Sequence, residues 1–285
     1  MSAIECSSLA LMRAAKTKLS NSDAPDLDAR WLLAHVLGID HRDAALRWDR
    51  TLTTEEAQLF QDCVVRRAGG EPLAHILGEW EFYGHALEVT PAVLVPRPET
   101  ELLVEWSLEL LEGVASPRIV EIGVGSAAVL VALANDRADL TAVGVELSAA
   151  ALEVAARNLK RHCLEERVEL RQGNHFEPLD GLFQLICSNP PYIAEGDPLL
   201  EEAVAQHEPE LALIDHLDRD GLGHHRALIE EFHHWIVPGG SLLLECGIHQ
   251  ASIIEEYAHQ KSLRSCSRAD LAGITRVVQV STGPG

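Results

Sequence analysis

The chain has 285 residues, 47% apolar and 24% charged, with 23 Lys and Arg against 44 Asp and Glu and so a net charge of −21. That length supports one large or two ordinary domains with real cores. So acidic a surface repels phosphate backbones, which disfavours direct nucleic-acid binding and favours a protein or small-molecule substrate. The longest apolar stretch, Ile122 to Ala134, is too short and too glycine-interrupted for a membrane span of ~20 residues, and Met1 to Ala10 has no basic-then-apolar signal pattern. The cysteines are scattered with no C-x-x-C pair, the pattern of reduced thiols in a cytoplasmic protein. Two adjacent histidine pairs, His224-His225 and His233-His234, point apart on a helix, so no metal site is expected.

Residues 1 to about 75 carry helical periodicity only. Leu9, Met12 and Leu19 mark a first amphipathic segment. Pro25 opens a second, with Leu27, Trp31 and Ala34 on one face and Gly38 closing it. Thr53 and Glu56 make a T-x-x-E capping box. The helix it starts turns Ala57, Phe60 and Val64 inward and stops at Gly69-Gly70. These short, partly polar helices predict a small bundle without a catalytic constellation. Trp31, Trp48, Trp106 and Trp235 are expected in cores or interfaces.

Residues 79–95 change character. Glu79 to Val89 and Val93-Leu94-Val95 predict a β-hairpin with Pro91 in its connection. Pro98 then falls in the first turn of a helix, with Glu99 and Glu101 at its positive end. From residue 118 strand and helix alternate, the signature of a parallel sheet covered on both faces. Strands are expected at 118–122, 141–146, 167–171, 182–188, 241–246 and 276–281, with a short one near 262–266. Helices are expected at 126–135, 148–162, 222–236 and 248–260. Pro238-Gly239-Gly240 reads as the turn into the fifth of these strands.

Two strand ends point to an adenosine-type cofactor. The first runs into Glu121-Ile122-Gly123-Val124-Gly125-Ser126-Ala127, where glycines admit a ligand to the backbone and the next helix aims its N–H groups at it. The second ends at Glu146, where a carboxylate can accept from both ribose hydroxyls. Gly123, Gly125 and Ala128 equally satisfy the dinucleotide pattern G-x-G-x-x-G/A, so a nicotinamide enzyme competes. The fourth strand breaks the tie by ending in Asn189-Pro190-Pro191-Tyr192. Its two prolines fix φ and stiffen the backbone. They hold an amide oxygen, a backbone carbonyl and a ring in the relation needed to grip a planar –NH2 group.

With the loop at 121–127 and Glu146, this tetrad resembles the amino-methyltransferases that use S-adenosylmethionine. Further segments narrow the likeness: Gly78 to Gly84, Val95-Pro96-Arg97-Pro98-Glu99-Thr100-Glu101, Glu208-Pro209, Asp220-Gly221-Leu222 and Asp270 to Val278. With Asp28-Ala29-Arg30-Trp31-Leu32-Leu33 they resemble the protein-(glutamine-N5) methyltransferases that modify peptide-chain release factors, over nearly the whole chain.

That resemblance implies a class I methyltransferase fold, a Rossmann-like seven-stranded, mostly parallel sheet with helices on both faces. It divides the chain into a helical bundle for partner docking at 1–75, a hairpin linker at 76–96 and a catalytic domain at 97–285. It implies S-adenosylmethionine as cofactor, S-adenosylhomocysteine as product, and a monomer acting on the glutamine of a Gly-Gly-Gln loop. Glu121, Gly123, Val124, Gly125, Ser126 and Ala127 would surround the methionine portion, Glu146 the ribose, and Asn174 and His175 the adenine, with Asn189 adjoining the cofactor. Asn189 and the Pro190 carbonyl would accept the substrate amide, with Pro191 stiffening the segment and Tyr192 covering the amide. The family usually has Asp at 121, 146 and 174, Gly at 127 and often an aromatic residue at 175. N5-glutamine methylation of a ribosomal protein and a degenerate, binding-only methyltransferase fold are the alternative readings.

Overall fold

The computed structural model describes residues 7–43, 50–197 and 202–283, so Trp48 lies outside the described residues. The chain divides into two units: residues up to Gly78 together with Glu202–His207, and Glu79 to Glu201 together with Glu208 onwards.

In the first unit, α1 (Ser8–Lys18) is capped by Ser7, whose hydroxyl accepts from the Ala10 amide at 3.2 Å. Helix α2 (Pro25–Leu37) starts on Pro25 and stops at Gly38, which adopts the left-handed conformation a side chain resists. Helix α3 (Thr54–Ala68) carries the complete capping box: the Glu56 amide donates to the Thr53 hydroxyl at 3.1 Å and the Thr53 amide to the Glu56 carboxylate at 2.9 Å. Leu19, Leu32, Leu33, Phe60 and Val64 close the core, whereas Leu9 is exposed. A short helix, α4 (Leu73–Leu77), follows. Arg67 joins α3 to α2 through Asp28 at 2.6 Å.

The second unit begins with a tighter hairpin than the alternation predicts. Strands β1 (Glu79–Phe82) and β2 (His85–Glu88) are joined by Tyr83 and Gly84, both at positive φ, 50° and 74°. A two-residue turn of this kind matches the twist of the strands. Val93-Leu94-Val95 forms no strand, and Pro91 lies beyond the hairpin. A tyrosine at positive φ is a poor sequence signal for a turn, and that hid the true one. A 3-10 turn (Pro98–Thr100) leads into α5 (Glu101–Leu110).

The α/β alternation then runs β3 (Arg118–Ile122), α6 (Ala128–Asp136), β4 (Thr141–Glu146), α7 (Ala149–Arg161), β5 (Val168–Gln172) and β6 (Phe183–Ser188). Helix α8 (Glu202–His207) belongs to the first unit. The second unit resumes with α9 (Glu210–Leu213), α10 (Gly223–Glu231), β7 (Ile236–Glu245), α11 (Ala251–Gln260), β8 (Arg264–Ala269) and β9 (Thr275–Ser281). The helix expected at 222–236 stops at Glu231 and becomes a 3-10 turn over Phe232–His234.

The seven strands are ordered β5-β4-β3-β6-β7-β9-β8, with β3 to β7 parallel and β9 antiparallel to both neighbours. This is the Rossmann-like sheet of a class I methyltransferase. Pro238-Gly239-Gly240 does not precede β7 but bulges within it: Phe183 pairs with Ile236 and Leu185 already with Ser241. Proline gives up no ladder bond in a bulge, and a side chain at Gly240 would press on Ile236 and the Gln184 carbonyl. Ile119, Leu185 and Leu243 face one core with α6, while Val120, Ile186, Leu242 and Leu244 face the other with α10 and α11. Burial on both faces is why these strands read as continuous apolar runs.

Candidate active site

Parallel strands end together, and beside β3 their order reverses, leaving a crevice at the carboxyl edge. A cavity of about 340 Å³ opens there, the size of a small-ligand site. Its lining contains Glu121, Gly123, Val124, Gly125, Ser126, Glu146, Asn174, His175, Asn189, Pro190 and Pro191, expected from sequence and drawn from four strand ends.

The glycine loop owes its shape to β4. The Gly123 and Val124 amides both donate to the Val145 carbonyl, at 2.8 and 3.0 Å. Gly123 and Gly125 have φ of 75° and 53°, and a Cβ on either would meet nothing within 4 Å. Both thus leave open space beside the backbone, a cradle that side chains would fill. Ala127 does not line the cavity. It is fully buried at φ 64°, capping α6, with its methyl in the core.

Two acids face the loop. Glu146 is held by backbone amides, Gly125 on Oε2 and Ser148 on Oε1, each at 3.0 Å. Glu121 is 3% exposed and its Oε2 has no hydrogen-bond partner. Burial pushes its carboxyl well above the usual carboxylate range. The Leu130 amide in the first turn of α6 opposes that rise and the charge of Glu146 adds to it. Opposite, His175 Nε2 lies 2.8 Å from His224 Nδ1, and His224 Nε2 lies 3.9 Å from buried Asp215. Burial lowers both imidazoles, favouring the neutral forms.

At the end of β6 the Ser188 hydroxyl donates to the Ile122 carbonyl at 2.7 Å, tying the start of the tetrad to β3. Asn189 Nδ2 donates to the Thr100 hydroxyl at 3.3 Å, leaving Oδ1 as the amide's acceptor. Glu245, at the end of β7, is buried with its Oε2 lacking a hydrogen-bond partner. Burial raises the Glu245 carboxyl to about 7, against the opposing influence of the nearby Thr100 hydroxyl and the charges of Arg276 and Arg97. Tyr192 does not line the cavity. Its carbonyl accepts from Gln250 at 2.8 Å, and burial pushes its phenol to about 12. Gly221, at φ +75°, lies so close that a Cβ there would overlap the Tyr192 carbonyl. Arg97 pairs with buried Glu208, which also accepts from the Val95 amide at 3.0 Å.

Thr100, Glu245, Asp215 and His224 are the members of this constellation that sequence reasoning did not place. Glu245 had one signal, a lone acid ending an apolar central strand, Leu242-Leu243-Leu244-Glu245.

Residues 10–78 match the PrmC N-terminal domain and residues 99–212 the Methyltransferase small domain. The chain is 40% identical over 257 residues to the release factor glutamine methyltransferase of Burkholderia pseudomallei, covering 88% of this chain and 90% of that protein. It is 39% identical over 277 residues to the release factor glutamine methyltransferase of Bradyrhizobium diazoefficiens, covering 95% and 93%. A methyltransferase structure from Pyrococcus furiosus aligns with 81% of this chain and 100% of that one at a TM-score of 0.50 and 17% identity, a likeness of fold alone. From the glycine loop to the proline-stiffened tetrad, and over nearly its whole length, the chain belongs to the family of release factor glutamine methyltransferases.

Proposed function

We propose that this methyltransferase transfers a methyl group from S-adenosylmethionine to the side-chain amide nitrogen of the glutamine in a release factor's Gly-Gly-Gln loop, modulating translation termination. The observation that carries this reading is the Asn189-Pro190-Pro191 wall on the same cavity as the glycine cradle and two acids. The cradle and acids fit the cofactor: Glu121 offers a buried, unpartnered oxygen to a cationic or N–H-bearing group, and Glu146 offers anchored carboxylate oxygens to ribose hydroxyls. Asn174 and His175 would border the adenine, the latter backed by His224. S-adenosylmethionine, when bound, supplies an electrophilic methyl on a sulfonium.

The residues of the chain must overcome the weak nucleophilicity of a carboxamide, whose lone pair is delocalised into its carbonyl. Asn189 Oδ1 and the Pro190 carbonyl accept the two N–H groups and aim the nitrogen. They also stabilise the positive charge that develops on it. Tyr192 steadies the wall through its backbone, whose carbonyl is anchored by Gln250. Net, the nitrogen gains a methyl carbon and loses one proton to solvent.

The first unit serves as the docking module for the release factor, and the net charge of −21 supports a protein partner over nucleic acid. Among the described residues no helix is long and apolar enough to cross a membrane. We place the enzyme in the cytoplasm as a monomer.

Incubation with methyl-labelled cofactor and a release factor tests the reading. Label is expected in the release factor and absent from its Gly-Gly-Gln variant carrying Gln→Ala. Label persisting on that variant would refute it.

A further inference from the structure

We infer that Asn158 is a positioning residue for the cofactor: its side chain holds the peptide group between Ser126 and Ala127 in the orientation on which the glycine cradle depends. The inference rests on that cradle taking S-adenosylmethionine, as proposed above. Asn158 sits on the buried face of α7 with Ala151, Val154 and Ala155, and is itself 0% exposed. A buried amide needs partners, and this one uses its full capacity. Its Oδ1 accepts from the Glu88 amide at 2.7 Å. Its Nδ2 donates to the Glu88 and Ser126 carbonyls, each at 2.9 Å. Only the oxygen can accept from Glu88, and only the –NH2 can serve both carbonyls, so the orientation of the side chain is fixed. The end of β2 thereby aims one hydrogen of Asn158 at the glycine loop.

The Ser126 carbonyl is where that hydrogen matters. Helix α6 begins at Ala128, and its ladder starts from the Ala127 carbonyl, which accepts from the Val131 amide at 2.8 Å. The Ser126 carbonyl stands one residue before that ladder. It belongs to the same peptide group as the Ala127 N–H, which donates to the Val124 carbonyl at 2.8 Å. One peptide plane is thus pinned at both ends, by Val124 within the loop and by Asn158 from α7.

The next residue gives the pins their purpose. Ala127 has φ 64° and ψ 25°, a left-handed conformation that its Cβ opposes. A peptide group turns as a rigid plane. A half-turn of this one carries Ala127 out of the left-handed region, so a loop released by Asn158 is drawn to another shape. Gly125 and Ser126 both line the cavity, and the turn rebuilds its wall beside the cradle. A glycine at 127 feels no such draw. Loss of Asn158 therefore weakens cofactor binding when residue 127 is alanine and much less when it is glycine. A purely structural role, tying β2 to α7, is indifferent to residue 127.

The test measures S-adenosylhomocysteine affinity by calorimetry, and Tm, on the full chain carrying Asn158→Ala, Ala127→Gly or both. Asn158→Ala is expected to weaken binding about tenfold, the scale of one left-handed alanine. The double variant should bind within about threefold of Ala127→Gly alone, because glycine tolerates the left-handed region. Asn158→Ala should lower Tm in both backgrounds, since the Glu88 bonds are lost in each. Asn158→Asp keeps an acceptor for the Glu88 amide but cannot serve both carbonyls, and it takes the place of Asn158→Ala in the comparison should that variant fail to fold. Equal losses of affinity in the two backgrounds, or unchanged affinity in Asn158→Ala, overturn the inference and leave the cofactor reading standing. If the natural chain binds no S-adenosylhomocysteine, the cofactor reading fails and takes the inference with it.

Discussion

Replacing Glu245 with glutamine removes a carboxyl whose ionisation opposes folding. Glu245 is 2% exposed, and burial moves it from a carboxylate's ordinary 4.5 to about 7. A carboxyl whose folded pKa is raised stabilises the native state while protonated. That contribution is complete below about 4.5 and is lost as pH rises through about 7. The interval (7 − 4.5), at ~1.36 kcal/mol for each pH step of one, amounts to about 3 kcal/mol. Glutamine does not titrate. The stability of Glu245→Gln minus that of the natural chain should therefore climb by about 3 kcal/mol between mildly acidic and neutral pH, then level off. Any change in amide packing adds a constant offset and leaves the climb intact, and other titrating groups such as Glu121 cancel in the difference. Urea unfolding across pH, followed on the catalytic unit, measures it. A flat or falling difference would refute the assignment of Glu245 as a buried acid destabilised by its own charge.

Two further substitutions bear on the loops that shape the cavity. Gly221→Ala places a Cβ against the Tyr192 carbonyl in a left-handed backbone, so it should cost at least about 2 kcal/mol and displace the tetrad. Calorimetric Tm and kcat should fall together while S-adenosylhomocysteine affinity holds; normal kcat would show that Gly221 does not set the position of Tyr192. Ala127→Gly gains about 1–2 kcal/mol from releasing a left-handed alanine. It loses about 0.4–1 kcal/mol in unfolded-chain entropy and about 0.8 kcal/mol for the buried methyl. The net stays near zero, and cofactor affinity should not change because the methyl faces the core; a several-fold gain in S-adenosylhomocysteine affinity would contradict that placement.

The sheet was legible where physics is local. Strands at 118–122 and 141–146 are matched residue for residue, because burial on both faces demands an unbroken apolar run. The capping box and the glycine and proline stops of the first unit are likewise local signals. Legibility failed where the deciding partner was distant or the cue ambiguous. Pro91 looked like a turn and concealed the one at Tyr83-Gly84. Helices α4, α8 and α9 are too short to show a period. Tyr192 reads as a cover for the substrate, and the structure leaves it out of the cavity lining, with its carbonyl held by Gln250. Thr100 and Asn189 meet only in three dimensions, 89 positions apart, and neither motif containing them signals the other.

Helix α8 sets an order of events in synthesis. The N-terminal unit holds residues up to Gly78 and then, far later in the chain, Glu202–His207. His207 reaches back to the Gly69 carbonyl across 138 positions at 3.3 Å. At usual elongation rates that stretch takes roughly 7 to 28 seconds to emerge. The first part of this enzyme to leave the ribosome is therefore not the first to be complete: its bundle waits for a helix encoded beyond the glycine loop and the tetrad, and a fragment released at residue 78 lacks it.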